Sequence, residues 1–377
     1  MDFKFTEEQE MLRESARDFL ERECPKTLVR EIESSEKGYS PEIWQQMAEL
    51  GWLGLVFPEK YSGSGMSFLD LAVLLEEMGR SYLPVPFFST VVLSGLPILD
   101  TGTEEQKQKY LPQIASGKAI STLALTEPSA KYDAASIAVK ARVSNSDYII
   151  SGTKLFVSDA HIADYLLCVV RTSEQAKPED GITIFLVDTK IPDISYTVLK
   201  TSANDKLCEV VFDQCKVPKE SILGELDQGW STVQTVIERA AVAKCCEMVG
   251  SAQRMLEMTI HYAKERKQFG KLIGSAQVIQ ESCADMLIDL DASRLITYEA
   301  AWRLSQGLPC VIEVSMAKAY VSAAYRRIAL KAHEICGGVA LMIVHDMPFF
   351  STRVGAEVST FGDSDFHRDI VAKELGL

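Results

Sequence analysis

The spacing of apolar residues changes twice along this chain, and no other feature restricts its fold so strongly. From Thr6 to about Ala115 they recur every three or four positions: Met11, Leu12, Ala16, Phe19 and Leu20, then Ile43, Met47 and Leu50, then Leu69, Leu71, Leu74, Leu75 and Met78. That spacing lines one face of a helix. Near Ile120 the pattern shortens into ISTLALTE, ASIAVKARV, DYIISGTKLFVS, ADYLLCVVRT, GITIFLVDT, YTVLKTS and CEVVFDQCKV, β-branched runs separated by Gly, Pro, Asn and Asp. Such runs predict a small antiparallel β-domain that ends near Gly224. From Trp230 the helical spacing returns in long runs such as SAQVIQESCADMLIDLDASRLITYEAAWRLSQ. Their length and weakly charged faces predict a bundle that also packs against other subunits. The expected architecture is α+β and multidomain: an N-terminal helical domain over 1–116, a central antiparallel β-barrel domain over 117–226, and a C-terminal four-helix bundle with an oligomer interface over 227–377.

Size and charge narrow the partners. A chain of 377 residues exceeds what one hydrophobic core accommodates, so two or three domains are expected. A net charge of -14 repels nucleic acid and anionic membrane surfaces, and neither is an expected partner. An anionic ligand has to be held by a local cluster of donors. The nine cysteines show no CxxC pair and no metal-ligand spacing, so they read as reduced, mostly core thiols of a cytoplasmic protein without a metal. The start, MDFKFTEEQEMLRESARDFLERE, lacks the apolar core of a signal peptide and the acid-poor bias of a transit peptide, and no stretch reaches the length of a membrane span.

Short motifs then occur in a fixed order: LGWLGLVFPEKYSGSGMS in the first region, LALTEPSAKYD and SGTKLFVSDA in the second, and ERKQFGK, Gln277 and CGGVA in the third. Taken together over its whole length, the chain resembles the acyl-CoA dehydrogenase family. The resemblance implies a tetrameric FAD enzyme that oxidises an acyl-CoA thioester to its 2,3-enoyl form and hands the electrons to an electron-transfer flavoprotein. That chemistry needs convergent groups. A C–H bond beside a thioester carbonyl is a weak acid, so a carboxylate takes the proton, hydrogen-bond donors hold the enolate oxygen, and a flavin accepts hydride from the next carbon. A dry cleft raises the pKa of the carboxylate toward the working pH.

In many family members an aromatic-Glu-Gly-Thr run near the C-terminus supplies the base. Here the matching stretch is FGDSDFHR, with Phe361 under the aromatic and Gly362 under the glutamate. In a second group of relatives that position is glycine or alanine, and the base stands on the first long helix of the C-terminal region, one residue before an arginine. In this chain the helix reads VIERAAVA, with Glu238 before Arg239. The resemblance therefore implies Glu238 as the base, Arg239 on the substrate side, and the main-chain N–H of Gly362, with a ribityl hydroxyl of FAD, as donors to the thioester oxygen. The plain alternative for Glu238 is a solvated helix carboxylate paired with a cation. Asp363, Asp365 and His367 read as bystanders, with Asp365 the rival base.

By the same resemblance, Phe156 and Ser158 in TKLFVSDA lie against the flavin ring, and Thr126 in LALTEP bonds its pyrimidine side. Arg266 and Phe269 in ERKQFGK reach a neighbouring subunit's FAD, a charge for phosphate and a ring for adenine, with Gln277 on the same surface. Phe269 taken alone reads as core. Gly337 and Gly338 allow close approach to the FAD phosphates, and Ser364 stands where the family has a threonine beside the cofactor. Two stretches depart from the pattern. SAKYD replaces a glycine-rich loop suited to phosphate and puts Tyr132 at a serine position, as a substrate contact or as packing. Glu334 replaces a glutamine beside the FAD and removes an amide donor. These departures keep two alternatives open: a half-site or non-catalytic subunit of a hetero-oligomer, and a flavin oxidase or monooxygenase on the same fold.

Overall fold

A computed structural model describes residues 4–342 and 344–377. Helix α1 (Glu7–Glu23) begins where the sequence supplies a reciprocal cap. Gln9 N–H donates to Thr6 Oγ1 at 3.2 Å and Thr6 N–H donates to Gln9 Oε1 at 3.1 Å, which satisfies donors that a helix start leaves open. After α2 (Lys26–Ser34) and α3 (Pro41–Glu49), the pair Ser67 and Asp70 starts α4 (Phe68–Ser81) in the same way. Beyond α5 (Leu96–Thr101), Thr103 and Gln106 start α6 (Glu104–Ala115). Eight strands follow: β1 (Ser121–Ala124), β2 (Lys140–Ser144), β3 (Asp147–Ser158), β4 (Tyr165–Arg171), β5 (Ile182–Asp188), β6 (Ile194–Val198), β7 (Leu207–Pro218) and β8 (Ile222–Leu223). The remainder is α7 (Trp230–Glu265), the hairpin β9 (Lys267–Gln268) and β10 (Lys271–Leu272), α8 (Gln277–Ser305), α9 (Val311–Cys336), α10 (Met347–Ser359) and α11 (Ser364–Glu374). Helical N- and C-terminal regions thus flank a central sheet.

Most of the residues that set the helical period are core: Ala16, Phe19, Leu20, Ile43, Met47, Leu71, Leu74 and Leu75 are buried. Met11 and Leu50 are exposed, at 70% and 46%. Met11 sits at the margin of its stripe and Leu50 is the C-cap past the end of α3, where period alone does not separate core from rim.

The chain gathers into two compact units, Met1–Arg30, Ser67–Leu83 and Ala241–Leu377 in one, Glu31–Met66 and Pro84–Ala240 in the other. In the first, the helical unit, α4 packs on α1 and α8, and α9 packs on α8, α10 and α11. Two glycines let the backbones of α4 and α7 approach closely. A Cβ on Gly79 would lie 2.2 Å from the carbonyl oxygen of Glu247, and one on Gly250 would lie 1.9 Å from that of Glu76.

In the second, the sheet unit, the strand order is β6-β7-β3-β2-β4-β5-β8, with β1 beside β4. Most pairings are antiparallel, as the short turn-punctuated runs imply. The β1–β4 pair is parallel, Ser121 against Tyr165 through Ala124 against Cys168, and β2 meets β4 at one parallel pair, Lys140 with Arg171. Between β1 and β4 lies the β2–β3 hairpin, a connection long enough for the crossover that parallel pairing needs. All nine cysteines are free thiols; eight are buried and Cys283 is half-buried. Burial pushes the Cys168 and Cys245 thiols up to about 12, so both are inert packing groups. Among the described residues no helix is long and apolar enough to cross a membrane, and no group of three or more His, Cys, Asp and Glu side chains could hold a metal ion.

Candidate active site

In the sheet unit the TKLFVS segment is bent by design of its register. Between Lys154 and Val157 the β3–β7 pairing shifts, and Phe156 takes a left-handed φ of 55° with its ring half exposed. A bulky residue in that region is strained by about 1 to 3 kcal/mol and needs support from its surroundings. The support lies beneath it. Lys154, wholly buried, donates to the Leu125 carbonyl at 3.1 Å and to Glu127 Oε1 at 2.6 Å. The Glu127 carboxylate also accepts the N–H of Ala138 at 2.8 Å and of Val139 at 3.1 Å. Leu155 N–H donates to the carbonyl of Thr126 at 2.8 Å. One buried ion pair therefore fixes Thr126, Phe156 and Ser158 relative to one another on adjoining segments. The sequence signal for it, a lysine in a β-run and a glutamate after an apolar one, is too ordinary to have flagged the pair.

The SAKYD loop keeps its shape without glycine. Ala130 takes φ 53°, and Asp133 caps the turn Ala134–Ser136 by accepting Ser136 N–H at 2.8 Å. Arg171 closes it from below, donating to the carbonyls of Ala134 at 2.7 Å and Ile137 at 3.2 Å. Tyr132 is half-buried within this loop.

Glu238 and Arg239 stand in the same unit, on the first turns of α7. Arg239 forms an ion pair with Asp100. Glu238 is half-buried, and among the described residues its carboxylate has no hydrogen bond or ion pair. Burial raises its pKa, and the nearby Arg239 opposes that rise without cancelling it. A carboxylate withdrawn from water and left without a neutralising partner is a poor structural element and a good proton acceptor.

The helical unit holds a groove of about 920 Å³ lined in part by Arg266, Phe269, Glu334, Gly337 and Gly338, which brings together five residues that lie far apart in sequence. Phe269 occupies the tip of the β9–β10 hairpin at φ 51°, followed by Gly270 at φ 77°, and its ring is fully exposed. It is no core aromatic. Arg266 is exposed and has no ion pair among the described residues. Gly337 ends α9 at φ 60° and ψ −146°, a conformation that essentially only glycine adopts. A Cβ on Gly337 or Gly338 would meet nothing within 4 Å, so both backbones lie open to the groove. Gln277 opens α8 but donates to Glu281 at 2.8 Å, and it does not line the groove.

Gly362 lies in the same unit, in the turn between α10 and α11. It is buried at φ 97°, and a Cβ there would come 2.3 Å from Phe366 Cδ1 and 2.8 Å from His367 Nε2. A side chain there, glutamate included, requires Phe366 and His367 to shift. Among the described residues the Gly362 N–H has no acceptor, a rare state for a buried main-chain donor. Ser364, expected beside the cofactor, donates to the Ala319 carbonyl at 3.1 Å. Asp363 caps α11 by accepting the N–H of Phe366 at 2.9 Å, and exposed Asp365 pairs with Arg368 at 2.8 Å.

The donor set suits an anionic dinucleotide: an unpaired guanidinium, two open glycine backbones and an exposed ring in one groove. The carboxylate of Glu334 in the lining is an unfavourable charge for an anion. Comparison with known proteins agrees with this chemistry. The N-terminal, middle and C-terminal domains of acyl-CoA dehydrogenase match residues 6–118, 122–215 and 227–376. The caffeyl-CoA reductase-Etf complex subunit CarC of Acetobacterium woodii is 35% identical over 339 residues, 89% of each chain. The probable acyl-CoA dehydrogenase YngJ of Bacillus subtilis is 31% identical over 387 residues, covering 100% of both. The FAD complex of PigA superposes with a TM-score of 0.91 at 27% identity, again over 100% of each chain. Matched domain by domain and along its whole length, with a groove fit for FAD, the chain belongs to the acyl-CoA dehydrogenase family of FAD-dependent oxidoreductases.

Proposed function

We propose that this protein removes hydrogen from the α and β carbons of an acyl-CoA thioester to give the 2,3-enoyl-CoA, with Glu238 as the base and the Gly362 N–H as a donor to the thioester oxygen. The observation that carries the reading is the half-buried, unpartnered carboxylate of Glu238, whose pKa burial raises. It takes the α-proton, and the electron pair of that C–H bond forms the new double bond. The Gly362 N–H holds negative charge on the oxygen while the bond breaks. FAD, when bound, supplies the acceptor for the β-hydride, with Phe156, Ser158 and Thr126 against its ring, while the groove of Arg266, Phe269, Gly337 and Gly338 takes the adenosine diphosphate end of a neighbouring subunit's FAD. Arg239 and Tyr132 face the substrate, Arg239 as an organiser through its pair with Asp100.

The electrons then leave to an electron-transfer flavoprotein, and the working form is a cytoplasmic homo-oligomer, a tetramer. Exposed apolar residues on the helical unit, Val278, Ile288, Leu330 and Leu341 at 64 to 73% exposure, support burial against further copies. Because CarC is named for a reductase, a second reading is favoured by that relative: the same groups run the step backwards, Glu238 delivering a proton to the α carbon of an enoyl-CoA. Adding a panel of straight, branched and aryl acyl-CoA thioesters anaerobically to the holoenzyme tests the proposal. One member should bleach the flavin and yield its enoyl-CoA; a panel that leaves both spectrum and thioesters unchanged contradicts it.

A further inference from the structure

The turn that carries Gly362 is fastened from one face of α9, by Ser315, Lys318 and Ala319, which share that face at helical spacing. Lys318, wholly buried, donates to the carbonyls of Glu357 at 3.3 Å, Val358 at 3.0 Å and Gly362 at 2.9 Å. Ala319 offers its carbonyl to Ser364. His367, reaching back from α11, places Nε2 at 2.9 Å from the Phe361 carbonyl and Nδ1 at 3.3 Å from Ser315 Oγ. A carbonyl only accepts, so Nε2 carries the proton and Nδ1 accepts the Ser315 hydroxyl.

The Phe361 carbonyl and the Gly362 N–H belong to one peptide plane, and that bond, like every other described, is trans. Pinning the carbonyl toward His367 turns the N–H to the opposite side, away from the fastening groups. A carbonyl that accepts a hydrogen bond also makes the amide of its own plane a stronger donor. From this geometry we infer that His367 is a positioning residue for the reaction: it fixes and strengthens the Gly362 N–H, and Ser315 selects the tautomer that does so. The inference rests on Gly362 being the donor to the thioester oxygen. Burial above all, and the Lys318 ammonium, push the imidazole pKa down to about 4 against the opposing pull of the Phe361 carbonyl and Asp363, so the ring is neutral and the Ser315 acceptor is kept at neutral pH.

The test uses the holoenzyme with acetoacetyl-CoA, or 3-oxo-3-phenylpropanoyl-CoA if the acyl pocket takes rings, and follows by absorbance the pKa at which the bound thioester ionises to its enolate. The parent should lower this pKa below that of the free thioester. His367→Leu should raise it by about one unit, a roughly tenfold fall in the ionisation constant and less than the roughly 100- to 1,000-fold effect of losing such a donor outright. His367→Gln, whose amide reaches the same carbonyl, should restore most of the effect. Ser315→Ala, which removes no ring from the core, should lie between Leu and the parent and keeps the test alive if the Leu variant does not fold. A residue that served stability alone would lower the thermal midpoint and leave the enolate pKa of the folded fraction where it was; equal pKa values in the parent and all variants overturn the inference. A parent that does not lower the pKa at all overturns the Gly362 reading beneath it.

Discussion

Glu238 and His367 illustrate opposite uses of burial at single residues. Each is withdrawn from water, Glu238 without a partner and His367 with two. Burial keeps a proton on the first to higher pH and off the second to lower pH, which is what a base and a neutral hydrogen-bond relay respectively require. The histidine makes a prediction about stability. Its pKa in the folded chain is about 4 against an ordinary value of 6.5, so between those values the unfolded chain binds the extra proton. Stability from this residue is complete above about pH 6.5 and is lost as pH falls toward 4, on the order of 3 kcal/mol in all. Denaturant unfolding of the parent and His367→Gln across that window should show the parent losing more; parallel curves would contradict it. The sequence singled out Glu238 and Gly362 because a carboxylate in one motif matched a missing one in another, and the structure adds the burial of each. The positioning of the turn by His367 and Lys318 was not legible there, because most of their partners are main-chain carbonyls, which leave no trace in residue identities.

At the scale of elements, the motifs read from sequence become two pieces of structure, a bulged strand and a hairpin. The strand holds Phe156 outward at positive φ over the Lys154–Glu127 pair, which the sequence did not reveal. The hairpin gives Phe269 an exposure that helical spacing would have denied it: α7 ends at Glu265, and the phenylalanine sits in a tight turn beyond it. Two parallel pairings in the sheet also escaped the sequence, since alternation reports which face of a strand is buried and not the direction of its neighbour. Arg266 precedes the hairpin, exposed in the groove and without an ion pair among the described residues. Replacing it by alanine should weaken FAD binding by about 1.5 to 3 kcal/mol, roughly 10- to 150-fold, through loss of a charge-assisted phosphate contact. Titration of the deflavinated protein with FAD, followed by flavin fluorescence, measures this. Equal affinity in the variant and the parent would remove Arg266 from the site.

For the whole molecule, the succession of helical, sheet and helical regions was legible because each change of apolar period is sharp and spans many residues. The grouping into two units was not. Residues near the N-terminus and from α4 join the long C-terminal helices in one unit, and the remaining N-terminal stretches join the sheet, contacts between distant segments that no local pattern encodes. The central claim is that Glu238 removes the α-proton. Glu238→Gln keeps the shape and helix propensity of the side chain and deletes the proton acceptor. Anaerobic rapid mixing of holoenzyme with the acyl-CoA that bleaches the parent measures the first flavin reduction directly. That rate should fall roughly 100- to 10,000-fold with FAD content and acyl-CoA binding unchanged; flavin reduction at the parental rate in the variant would rule out Glu238 as the base.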